Sequence, residues 1–245
     1  MRGARESGMT VHCEWGLHGI ETLRDAVGVI VIVDVLSFST AVDVATARGA
    51  LVCPRDLGQA DGGAPGTREA EPPAGSVIAQ PRGAPGGGFS LSPVSLSDIA
   101  PATRLILPSP NGGRLSLACG DRPVFTGCLR NATALAESVR AFAAGRDIAV
   151  IPAGERWPDG SLRPAIEDWL GAGAIIAGLG PDLAAEAETA CMAWHAARAD
   201  VARLVRASAS GRELIAAGHG GDVEMALDID ASDGAPLLVD GAYRQ

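Results

Sequence analysis

Val29-Ile30-Val31-Ile32-Val33-Asp34-Val35-Leu36-Ser37-Phe38-Ser39-Thr40 joins an unbroken β-branched run, one acid and a hydroxyl-rich turn. Five consecutive Val and Ile residues fit a strand covered on both faces, as in a parallel sheet, better than a half-exposed strand. Asp34 at its carboxyl end costs desolvation unless it finds a cation or donors, and ligands of open α/β sheets gather at that edge. Ser37, Ser39 and Thr40 suit the start of a helix running to Arg48. Two readings of Asp34 stay open. It caps that helix, or it serves a site beside the helix start, where free amides attract anions.

Outward from this stretch, Gly49 to Cys53 reads as the next parallel strand, making residues 29 to 53 a compact βαβ unit with a right-handed crossover. Val11 to Trp15 is a first strand, and Gly16 to Arg24 a loop or short helix. Gly58 to Gly88 is rich in Gly, Pro and Ala and reads as a loop around the short strand Ser76 to Ala79; Gly86-Gly87-Gly88 fits surface loop better than phosphate cradle. Three further strand, turn and helix units follow. Arg104 to Leu107 leads through Ser109-Pro110-Asn111-Gly112-Gly113-Arg114 into a helix. Val124 to Thr126 leads through Cys128 to Thr133 into a helix with Leu135, Val139 and Phe142 on one face. Ile148 to Gly154 leads past the turn Trp157 to Gly160 into a helix opened by Glu167 and Asp168. Acids in a first turn also suit the helix dipole. Leu183 to Leu204 reads as one long amphipathic helix, its stripe either core or a homodimer contact. Ser208 to Gly218 and Gly221 to Glu224 are short helices, and Pro236 to Val239 a last, edge strand.

Length and composition narrow the function. The 245 residues, 47% of them hydrophobic, are ample for a core, and Met9 to Gln245 is expected to form one α/β domain, with Met1–Gly8 a disordered or misassigned start outside it. A net charge of −9 without a basic tract argues against nucleic acid or an anionic membrane as partner. No apolar run approaches the roughly 20 residues of a membrane span, so a cytoplasmic protein is expected. All 20 basic residues are arginine, which removes Schiff-base and Walker-type lysine mechanisms. Five scattered cysteines and four unpaired histidines argue for free thiols and against zinc.

If the sheet is parallel, the ends at Asp34, Ser109 to Arg114, Cys128 to Thr133 and Gly154 to Asp168 share one edge. That edge would gather helix starts, acids and arginines, suiting a small phosphorylated anion held with a divalent metal. Oxygen ligands without a His or Cys cluster favour Mg²⁺.

The order of these motifs resembles the 2-phosphosulfolactate phosphatases of the ComB type, from Val29 to about Asp240. That family's Asp-Val-Leu-Arg-Ala-Ser-Thr is similar to Asp34-Val35-Leu36-Ser37-Phe38-Ser39-Thr40, and its Asn-Gly-Thr-Arg to Asn111-Gly112-Gly113-Arg114. Its Leu-Asn-Ala-Ser-Ala-Val-Ala is similar to Arg130 through Ala136. Its Ala-Gly, Glu-Asp, Ala-Gly series matches Ala153-Gly154, Glu167-Asp168 and Ala172-Gly173, and Ser208 through Gly218 matches a late segment. The chain departs at Ser37, where the family has arginine, at Gln80-Pro81-Arg82 for Gly-Glu-Arg, and at Ser90 for an aspartate. Glu155 to Pro164 interrupts the order as an insertion able to supply replacements.

The resemblance implies a three-layer α/β fold, its mostly parallel sheet flanked by helices, and Mg²⁺-dependent hydrolysis of phosphosulfolactate to sulfolactate and phosphate, a step of coenzyme M biosynthesis. On that basis Asp34, Glu167 and Asp168 are the expected metal ligands and catalytic acids, with Asp34 or a water as nucleophile. Ser37, Ser39, Thr40, Ser109, Asn111, Gly112, Arg114, Asn131 and Arg156 are the expected substrate contacts. The rival is a divergent member that binds or otherwise transforms a small anionic metabolite, favoured by the two lost acids.

Overall fold

The computed structural model describes residues 8–56 and 73–245. In chain order these form β1 (Val11–Cys13), α1 (Gly16–Leu23), β2 (Val29–Val33), α2 (Phe38–Ala47), β3 (Leu51–Arg55), β4 (Val77–Ile78), β5 (Arg104–Pro108), α3 (Gly112–Ala118), β6 (Val124–Gly127), α4 (Ala132–Ala143) and β7 (Ile148–Pro152). A hairpin of β8 (Glu155–Arg156) and β9 (Leu162–Arg163) follows, then α5 (Ile166–Leu179), α6 (Ala185–Ala197), α7 (Val201–Ala207), α8 (Ala209–Ala216), α9 (Gly220–Ala226), β10 (Leu237–Val239) and β11 (Ala242–Arg244). Most of the expected disordered start and part of the expected loop from Gly58 to Gly88 lie outside the described residues.

Strand β2 is covered on both faces, as its sequence requires. Val29, Val31 and Val33 enter one core with α4, α5, α6 and α7, while Ile30 and Ile32 enter a second core with α1, α2 and α3. Its neighbour β7 divides in the same way, Ile148 and Val150 to the first core, Ala149 and Ile151 to the second. Helices on both faces of a mostly parallel nine-stranded sheet give the three-layer α/β architecture. Among the described residues no helix is long and apolar enough to cross a membrane.

The sheet order, β1-β7-β2-β6-β10-β11-β3-β5-β4, corrects two expectations. Residues 29 to 53 are not a compact βαβ unit, because β2 pairs in parallel with β6 and β7, whereas β3 pairs in parallel with β5. Nor do the strands form one parallel sheet with one carboxyl edge. The antiparallel β10–β11 hairpin joins two parallel groups, touching β6 through Leu237 and Phe125 and β3 through Tyr243 and Val52. Thus Pro236 to Val239 is neither last nor an edge; it and the unforeseen β11 complete the middle of the sheet.

The stretch from Leu183 to Leu204 is two helices. Residues 198–200 turn, and Asp200, of a type that favours helix starts over interiors, precedes α7. Its apolar stripe packs on the first core through Ala187 and Val201, which makes it core.

Tyr243 fastens the central hairpin: it is fully buried, stacks edge-on to Phe38 at 6.1 Å and shares a 2.7 Å hydrogen bond with Ser116. Tyr243→Ala is expected to destabilise the fold by about 3–5 kcal/mol and Tyr243→Phe by about 1 kcal/mol in urea unfolding. Equal small losses for both would show that the hairpin is peripheral to the fold.

Candidate active site

The turn after β2 is held by side chains, starting with Asp34. Its Oδ1 accepts from the Phe38 amide at 3.1 Å and its Oδ2 from the Gly112 amide at 2.8 Å. One carboxylate therefore joins the first turns of α2 and α3. The approach requires glycine at 112, because a Cβ there would strike the Phe38 ring and lie 2.9 Å from Asp34 Oδ2. The two helix starts expected to hold a substrate anion give these amides to the chain's own carboxylate. Asp168 works likewise on the other side, its oxygens accepting from Val35 at 2.7 Å and Gly154 at 2.9 Å. The Leu36–Ser37 peptide bond between these anchors is cis.

Glu167 is different. It is buried beside Asp168, and its Oε2 has no hydrogen-bond partner. A buried polar atom left unpaired costs about 1–3 kcal/mol, more when charged. Asp34, Asp168 and Glu155 all feel this carboxylate electrostatically. Burial raises the pKa of Asp34, against the amides of Gly112 and Phe38 and the charge of Arg82, while Glu167 raises it further. Burial, then Asp34 and Glu167, raise Asp168 well above the carboxylate range. Burial and Asp34 push Glu155 to about 7, against its Asn111 hydrogen bond and Arg163.

Of these acids Asp34 and Glu155 border a cleft of about 250 Å³, lined also by Ser37, Ser109, Asn111 and Arg82 and by Ser210 and Glu213 of α8. Arg82 donates to Ser37 Oγ at 2.6 Å, the Leu91 carbonyl at 3.1 Å and Asp222 Oδ2 at 3.1 Å. Buried Asp222 also accepts from the Ser92 hydroxyl, so this guanidinium is fixed before any ligand arrives. Arg163 holds α8 over the cleft through two bonds to Glu213, at 2.8 and 3.0 Å.

Several expected contacts lie elsewhere. Ser39 Oγ accepts from the Asp34 amide and shares a hydrogen bond with Thr126, while Thr40 Oγ1 donates to the Val35 carbonyl; both are fully buried. Asn131 is also fully buried, its amide accepting from Cys128 and donating to the Gly234 carbonyl. These polar groups are occupied inside the fold and are not cleft contacts. Arg114 and Arg156 line a neighbouring cavity. Asp168, unlike Asp34, does not line the cleft, and both its oxygens lie on backbone amides.

Among the described residues no three His, Cys, Asp or Glu side chains are arranged to cage a metal ion. Mg²⁺ does not need such a cage, because it commonly takes one or two carboxylates together with waters and a substrate phosphate. The unpartnered Glu167 Oε2 and the neighbouring carboxylates of Asp34 and Glu155 fit that mode. Sequence reasoning missed Arg82 and Glu155 as site residues, although each lies in a segment that departs from the family pattern, and Ser210, inside a matched segment. Asp222 carried no signal.

A model of the 2-phosphosulpholactate phosphatase family matches residues 18–241. No curated protein matches the chain significantly.

Glu155 gives a prediction for the metal-free protein. Its folded pKa lies above its ordinary 4.5, so the stability it permits is complete below that pH and is lost as pH rises through about 7. Between those values Glu155→Gln should gain stability relative to the unaltered protein, by up to about 1.4 kcal/mol per pH unit. Parallel stability curves for the two proteins, measured by urea unfolding in EDTA, would refute a protonated Glu155.

Proposed function

The chain belongs to the 2-phosphosulpholactate phosphatase family, and from that premise we propose that it is a Mg²⁺-dependent phosphatase of a small phosphorylated hydroxy acid, 2-phosphosulfolactate or a close analogue. The observation that carries the reading is the buried, unpartnered Glu167 Oε2, which acts electrostatically on Asp34 and Glu155 in the walls of a cleft richer in carboxylate than in guanidinium. Asp34, Glu155 and Glu213 face Arg82 there, and Arg163 is already paired with Glu213. A phosphate dianion entering such a cleft needs additional positive charge.

Glu167 and Asp34 would hold the ion, which when bound would neutralise charge on the transferring phosphoryl group. Arg82, preset by Asp222 and Ser37, would bind phosphate oxygens, and Asn111 and the Ser109 hydroxyl would orient the ester. Water is the nucleophile in this reading, because both Asp34 oxygens already accept backbone amides. Glu155 would exchange a proton with the water or the departing alkoxide, its value near 7 suiting either task. Hydrolysis then leaves the hydroxy acid and inorganic phosphate.

The rival, a member that binds a small anion without hydrolysis, draws support from Asp34 and Asp168, whose oxygens are committed to the backbone. A panel of phosphorylated hydroxy acids, phosphosulfolactate included, separates the two. The phosphatase reading expects phosphate release with Mg²⁺, none with EDTA, and at least about a 100-fold fall in kcat for Glu167→Gln. No release from any ester, with thermal stabilisation by one of them, would establish the rival.

A further inference from the structure

The Asp34 cleft has a larger neighbour of about 400 Å³. The two share Pro110, Asn111 and Glu155 in their walls, and the 2.8 Å hydrogen bond from Asn111 Nδ2 to Glu155 Oε2 joins two of those shared residues. In the neighbour the chemistry changes. Trp15, Leu17 and Leu162 provide an apolar lining, and Arg114 and Arg156 bring two guanidiniums. Burial and then the nearby Arg114 disfavour the charge on Arg156, and Asp56 favours it. Asp56 lies 3.7 Å from Arg114, looser than the roughly 2.7–2.9 Å of a strong charged hydrogen bond, and Arg156 donates to the Gly160 carbonyl at 3.2 Å. Two cations brought together in one cavity favour an anion between them.

We propose that this second chamber binds the far end of the substrate. The chamber then admits phosphomonoesters longer than a three-carbon acid, the body lying on Trp15, Leu17 and Leu162 and the distal carboxylate, sulfonate or phosphate held by Arg114 and Arg156. The inference rests on the phosphatase reading for which end enters the Asp34 cleft. Size supports it, since 400 Å³ exceeds the roughly 300 Å³ at which pockets for drug-sized ligands begin. A three-carbon acid seated beside Asp34 would leave that space to water. Three of the lining side chains, Glu155, Arg156 and Leu162, come from the β8–β9 hairpin, the segment that interrupts the family's order of motifs.

The test compares the phosphate ester of ω-hydroxyhexanoate with the ester of its uncharged amide, in turnover with Mg²⁺ and in calorimetric binding of the corresponding phosphonates. The acid is expected to exceed the amide in kcat/KM and in affinity by at least about tenfold, the size of one charge-assisted contact. Arg156→Gln, a change at an exposed position, is expected to erase most of that preference, chiefly through KM. If no ester is hydrolysed but the phosphonate preference appears and depends on Arg156, the phosphatase reading fails and the subsite stands. Equal binding and turnover of acid and amide, or a preference that survives Arg156→Gln unchanged, would overturn the subsite whether or not phosphate is released.

Discussion

Two buried carboxylates carry the architecture of the site. Asp34 holds the amides of Phe38 and Gly112, and Asp168 holds those of Val35 and Gly154. These four bonds tie together the segments that leave β2, β5 and β7, although β5 belongs to a different parallel group from the other two. Side chains make this junction because the sheet does not: the β10–β11 hairpin intervenes, and each of its strands meets its outer neighbour at one residue pair. An apolar group of similar size at either acid would leave amides unpaired at about 1–3 kcal/mol each.

That solution concentrates negative charge. Burial and mutual repulsion favour the protonated forms of Asp34 and Asp168, and Asp34 in turn raises Glu155. The backbone satisfies Asp34 and Asp168, and Asn111 satisfies Glu155 in part, whereas one oxygen of Glu167 has no partner. Structural and chemical roles thereby separate among neighbouring acids. Asp168 is scaffold, Asp34 is scaffold with one edge on the cleft, and Glu167 is the acid among them with an oxygen left for a ligand. Arg82 completes the design from the opposite side, held by Asp222 and two further acceptors so that little side-chain entropy remains to be lost on binding.

Much of the fold was legible because burial on both faces leaves a mark in sequence: the runs at Val29 to Val33 and Ile148 to Ile151 admit no other comfortable state. Pairing partners were not legible. Nothing local to Leu51 to Arg55 says that the strand joins β5 instead of β2, and β11, three residues in Ala242–Arg244, is too short to show a period. At the site, Asp34, Ser37, Ser109 and Asn111 reach the cleft, as expected of polar residues at the ends of buried strands. Ser39, Thr40 and Asn131 misled because hydroxyls and amides that bind anions are the same groups that satisfy turns. Arg82 was hidden in an irregular segment and Glu155 in a two-residue strand, where residue type alone does not reveal direction.

The most direct test of the division between scaffold acid and ligand-binding acid is a calorimetric titration of Mg²⁺ into the protein and into Glu167→Gln, with folding of both checked by circular dichroism. A binding isotherm for the unaltered protein that is lost in a folded Glu167→Gln is the predicted result. An isotherm unchanged by the substitution would contradict it, and so would no binding to the unaltered protein in the presence of inorganic phosphate.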